Sequence, residues 1–242
     1  MAFFLQKKSH LNPNAMERHQ LADGGMPYFE TNLEHYVAEP WNGLTAAIFV
    51  LLAAYWFFKI KKSFRRFPFI SYALPLLLVG GIGGTLYHAF RSFPAYLYMD
   101  WVPILVLVLS ASAYFFKHYF SSWIKSAGVI TGAFLLMFLM ASFTPEQYRF
   151  YAININYLLD ALLILIPTLL IIRKVSRKTS YNVYWACASF GLALFFRSVD
   201  HLGWLPIGTH FLWHIFGAAA CHLMLRFIYE LEHRTVPAQA QP

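Results

Sequence analysis

Seven stretches of this chain are each about 20 residues long, mostly apolar and nearly free of charge, and no other feature limits the fold so strongly. They cover residues 41–60, 67–90, 96–116, 122–143, 150–172, 181–199 and 208–229. An α-helix of that length crosses the hydrocarbon core of a bilayer, about 30 Å. No ten-residue alternation of apolar and polar positions appears, so a transmembrane β-barrel is excluded. Composition agrees: 59% of the 242 residues are hydrophobic and 12% charged, against about 25% charged in a soluble domain. A water-soluble fold with this composition could not cover its surface. The expected fold is an all-α membrane protein, a seven-transmembrane helix bundle with short connections.

The chain divides into a polar, acidic segment over residues 1–40, the helical domain over 41–229 and a tail over 230–242. The first segment caps one side of the bundle or lies along it as a surface helix, and its apolar start at 1–5 is too short for a signal-peptide core. Pro75, Pro103 and Pro167 fall inside spans, where neighbouring helices satisfy the freed carbonyls. The glycine run at 80–84 lets another helix approach closely. Cys187 and Cys221 both lie in apolar segments and support no disulfide framework.

Charge orients the bundle. Of the 19 Lys and Arg residues, 13 fall in the loops after the first, third and fifth spans or at the end of the last. The positive-inside rule then places the N-terminus outside and the C-terminus in the cytoplasm. The formal charge of +8 is accounted for as a topology signal, and nucleic-acid binding has no support beyond it.

The ionisable groups in or near spans gather on the opposite, outer side. They are Glu30, Glu34 and Glu39 before the first span, His88, Asp100, the group Arg197, Asp200 and His201, and then His210 and His214. Charged groups are costly in hydrocarbon and mark functional sites by default. His210 and His214 share one helix face, one turn apart. His88, from another helix, supplies a third imidazole. Three neutral imidazoles plus water make a catalytic zinc set with one open position, and Asp100 is placed to orient a ligand or take a proton from water. Histidines that only hydrogen-bond across helices, or two that hold a haem, are the competing readings. No C-x-x-C-H attachment motif exists. His222 reads as packing, and His10, His19, His35, His118 and His233 as solvated. Trp213 stands beside His214 in the site region.

Three blocks in order resemble the signature of the alkaline ceramidases, members of the CREST superfamily of seven-span zinc hydrolases, with the adiponectin-receptor group as cousins. They are the run from Gly81 to Tyr87-His88, then Asp100 with Pro103, then His210-Phe211-Leu212-Trp213-His214. Glu39-Pro40-Trp41-Asn42 resembles a further block ahead of the first span. The resemblance implies a zinc-dependent hydrolase of a lipid amide, most simply ceramide to sphingoid base plus fatty acid. It implies zinc on His88, His210 and His214, Asp100 handling the water, and calcium on Glu30, Asn32 and Glu39. The chain departs from the family at Gly84, where a serine is usual. Tyr87 or Tyr98 is then the expected replacement donor to the oxyanion. The alternative is a zinc-bearing receptor or lipid-binding protein related to the adiponectin-receptor group, without efficient turnover. A transporter is a third class, but no repeat or paired broken helices support it. Short loops without an organelle signal point to a bacterial inner membrane.

Overall fold

The computed structural model describes residues 21–173 and 176–235, the last two without their side chains. His10, His19, Lys7, Lys8, Arg18, Lys174, the side chain of Arg234 and the end of the tail lie outside the described residues. Proline sets several helix starts, because its fixed φ suits the first turn and its missing N–H is not needed there. It opens α1 (Pro40–Ala46), α3 (Pro68–Phe90) and α4 (Pro94–Phe120). Ser122 and Ser176 cap α5 (Trp123–Phe143) and α7 (Arg177–Val199) by accepting backbone N–H groups. α2 (Ile48–Ile60) continues α1 after Ala47, α6 covers Arg149–Ile172, and α8 covers His210–Thr235.

With α1 and α2 taken as one, the described residues form seven long helical rods. Six of them are long and apolar enough to cross a membrane. The expected count of seven is therefore met in six cases. α7 misses because Thr179, Ser180, Asn182 and Arg197 dilute its apolar content, though at 23 residues it equals α3 in length. α7 packs along α8, α3 lies between α1–α2 and α4, and α6 closes against α4, α5 and α7. The main core is at the end away from the histidines. There Trp56, Ile60, Ile70, Phe115, Phe227 and Ile228 interlock from α2, α3, α4 and α8. Most of the remaining large apolar side chains face outward, as lipid-facing positions require.

Glycines decide how tightly α3 is held. A Cβ on Gly81 would stand 2.7 Å from the backbone nitrogen of Val50 in α2. Gly83 faces the backbone of Met99 in α4 just as closely. The run at 80–84 therefore admits a helix on each side, as its sequence implies. Gly81→Ala is expected to destabilise the detergent-solubilised protein by about 1–3 kcal/mol through overpacking. Gly132→Ala on α5, where a Cβ meets nothing within 4 Å, serves as the control in the same thermal unfolding series and loses no stability.

Candidate metal centre

His88 sits in the last turn of α3, and His210 and His214 in the first turns of α8. The two helices bring the three rings together at centroid separations of 4.8–5.2 Å. One ligand nitrogen from each lies within 4.8 Å of the other two, and all three residues are buried. Among the described residues they are the one such group able to hold an ion.

Hydrogen bonds determine which ring nitrogens are available. His88 donates Nδ1–H to Glu39 Oε2 at 2.6 Å, since a carboxylate can only accept. Its Nε2 then carries a lone pair, and that atom is buried without a partner. The Thr45 hydroxyl directs its proton to the carbonyls of Trp41, 2.7 Å, or Asn42, 3.2 Å. It therefore accepts Nδ1–H of His214 at 3.0 Å, leaving the other nitrogen of that ring bare. His210 Nδ1 is also buried and unpartnered. Unpaired buried polar atoms are costly, and three imidazoles whose ligand nitrogens lie within 4.8 Å of one another are the donor set a divalent transition metal takes. The Glu39–His88 pair is the outer-shell arrangement that orients metal-bound histidines.

The segment before α1 builds this end of the bundle. Arg91, at φ 49° just past the end of α3, is buried and pairs with Asp23 at 2.6 Å through Nε and with Glu39 through Nη1. Thr31 donates to Glu39 at 2.6 Å. Burial pushes the Glu39 carboxyl up, but His88, Arg91 and Thr31 outweigh it and hold it at about 2, so it is an ionised acceptor. Burial lowers and the Asp23 and Glu39 carboxylates raise the pKa of Arg91, which ends above its ordinary value. Tyr28 stacks on His210 at 3.7 Å. Burial raises its phenol above the ordinary range despite Arg197 and Arg91 nearby, so it keeps its proton. Asp200 accepts the N–H groups of Thr209 (2.7 Å) and His210 (2.9 Å) through Oδ1 and of Phe29 (2.8 Å) through Oδ2. It thereby caps α8 and ties it to the N-terminal segment.

Asp100 lines the same cavity as His210 and His214. Its carboxylate lies against Gly84, where a Cβ would stand 2.6 Å from Oδ1. Gly84 is one turn from His88 on the same face of α3, so Asp100 is brought over the cluster by the absence of a side chain there. Among the described residues Asp100 accepts no hydrogen bond and remains available to a proton. The cavity, about 370 Å³, continues between α4, α6, α7 and α8 past Leu107, Phe190 and Met224. Its α8 wall, from His210 to Ile228, is about 27 Å long at 1.5 Å per residue.

The remaining predicted positions divide. Trp213 lines the cavity. Tyr87 and Tyr98 do not. Tyr87, about 100° around α3 from His88, turns its ring over Arg91 at 4.4 Å. Tyr98 is 58% exposed on the outer face of α4. Glu30, Asn32 and Glu39, the residues expected to hold calcium, each engage protein groups. Glu30 accepts the N–H groups of Trp41 (2.7 Å) and Asn42 (2.9 Å) at the start of α1, and burial raises its carboxyl pKa against these bonds. Asn32 accepts from Glu34 N at 3.0 Å and bonds His35 through Nδ2. Glu39 turns inward to His88 and Arg91. His222 packs against Tyr55 and Trp56, as its setting suggests. One ionisable group of the cavity lining escapes the sequence reading. Asp160, in the middle of α6, also lines the cavity, so polar groups there are not confined to the outer half.

Glu39→Gln preserves size but removes the charge that orients His88. The expected result is a metal affinity about 10–100-fold weaker, read by competition with a chelator for zinc. Unchanged affinity would separate Glu39 from metal binding.

Comparison with known proteins adds a family to this geometry. No curated protein and no solved structure matches the chain. The ceramidase family profile matches residues 30–205, a stretch that includes Glu39, His88, Asp100 and Arg197 and stops short of His210 and His214. The geometry joins those two histidines to the matched block, and the match spans most of the chain, which belongs to the ceramidase family.

Proposed function

We propose that this protein is an intramembrane zinc-dependent amidohydrolase of a lipid amide, with ceramide the substrate class its family implies. The observation that carries this reading is the meeting of three buried imidazoles, two of them with their other nitrogen already hydrogen-bonded, at the head of an apolar cavity beside Asp100. His88, His210 and His214 hold the ion. Bound there, zinc supplies Lewis-acid polarisation of a carbonyl and lowers the pKa of water toward about 7. Glu39 and Thr45 keep the Nδ1 protons of His88 and His214 in place, so both rings present the same nitrogen throughout a cycle. Asp100 takes the proton of the attacking water and returns it to the leaving amine. The cavity receives the acyl chain, each buried CH₂ contributing about 0.8 kcal/mol.

Gly84 supports this reading rather than the receptor without turnover. A side chain at that position would displace the carboxylate of Asp100, so the glycine accompanies an acid brought close to the cluster. In the same reading Glu30, Asn32 and Glu39 are the residues that would hold calcium, their oxygens suiting a hard cation.

In this reading α7 is the seventh crossing, the N-terminal segment and the site face the outer side, and the basic loops face the cytoplasm. The bacterial inner membrane is the proposed setting. In a Cys187→Ala, Cys221→Ala background, a membrane-impermeant thiol reagent is expected to label Leu205→Cys in intact cells. Ser63→Cys is labelled only after permeabilisation, and the reverse pattern overturns the orientation.

Elemental analysis of the purified protein is expected to give one zinc per chain. Chelation abolishes release of fatty acid from a lipid amide, and zinc restores it. Asp100→Asn lowers kcat by about 10²–10⁴-fold with zinc retained. Full activity in His214→Ala rejects the mechanism.

A further inference from the structure

A buried guanidinium that enters no ion pair stands beside the metal cluster. Arg197, in the last turn of α7, is 7% exposed and lines the same cavity as Asp100, His210 and His214. Its Cζ lies over the rings of Tyr157, Trp213 and Tyr28, at 4.8, 5.4 and 6.0 Å from their centroids. Nε has no hydrogen-bond partner, and Nη1 makes one long bond, 3.4 Å, to the Tyr28 hydroxyl. Among the described residues Arg197 enters no ion pair, whereas Arg91 at the same end of the bundle has two.

Arginine cannot lose its charge to relieve this. Cation–π contact with three rings offsets part of the cost of burial, but it leaves Nε–H of the guanidinium fork without an acceptor. That fork suits a carboxylate or phosphate, to which it can donate two bonds. A headgroup bearing only hydroxyls leaves the guanidinium without an ion pair. The link to the cluster is short, because the Tyr28 ring that Arg197 reaches is the one stacked on His210.

We propose that the lipid amide taken by this site carries an anion on its amine portion, an N-acyl amino acid being the simplest form, with Arg197 binding the carboxylate and Tyr28 beside it. In such a lipid one carbon separates the carboxylate from the amide nitrogen. The anion and the scissile carbonyl then belong to one short headgroup, as joint engagement of Arg197 and the cluster in one cavity requires. Hydrolysis is balanced without a further reactant. Water gives OH to the acyl carbon and a proton to the nitrogen as the C–N bond breaks, releasing a fatty acid and an amino acid. This inference rests on the amidohydrolase reading above and departs from ceramide, whose headgroup bears only hydroxyls, in the headgroup alone.

The test uses the full-length, zinc-loaded protein in detergent with N-palmitoylglycine and N-palmitoylethanolamine, which differ in a carboxylate against a CH₂OH group. The native protein is expected to favour N-palmitoylglycine by about tenfold or more in kcat/KM, the range of a hydrogen bond to a charged group. In Arg197→Gln the ratio falls to about one, mainly through KM for the anionic lipid, and Arg197→Lys retains part of the preference. Zinc content equal to native certifies that each variant is folded. A native ratio near one, or Arg197→Gln slowing both lipids equally, overturns the proposal. So does palmitate competing as well as N-palmitoylglycine and losing as much affinity in Arg197→Gln, which assigns the guanidinium to the product. Calorimetric binding to the zinc-stripped protein separates this proposal from the one beneath it. Arg197-dependent preference for N-palmitoylglycine without hydrolysis of either lipid upholds the anion site and rejects the amidohydrolase. Equal binding of the two lipids rejects the anion site, whatever is hydrolysed.

Discussion

The carboxylate of Glu39 lies between the Arg91 guanidinium and the His88 ring, fully buried, and the rest of the site depends on that placement. Its charge is tolerable there because donors surround it, with Arg91 and Thr31 on one oxygen and His88 and Asn42 on the other. Arg91 is balanced in turn by Asp23. A buried pair of this kind adds little net stability, since desolvation cancels much of its Coulomb energy. What it supplies is geometry. Breaking any member strands a charge in a low-dielectric interior, so Asp23, Arg91, Glu39 and His88 accept one arrangement. That arrangement draws the N-terminal segment over α3 and sets the proton on His88. It also holds Arg91 at a φ of 49°, a conformation uncommon outside glycine.

The other half of the cluster is held independently. Asp200 caps α8 and binds the N-terminal segment at Phe29, while Thr45 of α1 fixes His214. The three rings are therefore located by two anchors on opposite sides of the same segment. Between them, Asp100 enters over Gly84 from α4. Beyond them the cavity becomes apolar, apart from Asp160. This polarity gradient is what a lipid with a polar head and a long chain requires of an enclosed site.

The parts of the site that could be read from the sequence were those whose chemistry is unusual in hydrocarbon. An imidazole or carboxylate in an apolar run stands out, and the spacing of His210 and His214 places both on one helix face. Asp23, Tyr28 and Thr45 gave no such signal, because they lie in a polar segment or are ordinary in a membrane helix. Arg91 could be counted only as a loop cation, since nothing local marks a cation as buried. Tyr87 and Tyr98 looked suitable by adjacency to His88 and Asp100. Adjacent helical residues point about 100° apart, and the two rings face away from the cavity.

Hydrophobic run length by itself determined that the chain is helical and built for a bilayer, because a backbone crossing hydrocarbon must satisfy its own hydrogen bonds. It also located the candidate ligands to within a turn. Only the tertiary structure decided which ring nitrogens are hydrogen-bonded, that Glu39 accepts from His88, and that Arg197 enters no ion pair among the described residues. Those facts depend on contacts between residues up to 171 positions apart, as Phe29 and Asp200 are. Local propensity carries no information about pairs so distant. Packing creates them, through the close approach that glycine permits along α3 and the buried charges that must find partners when the helices meet.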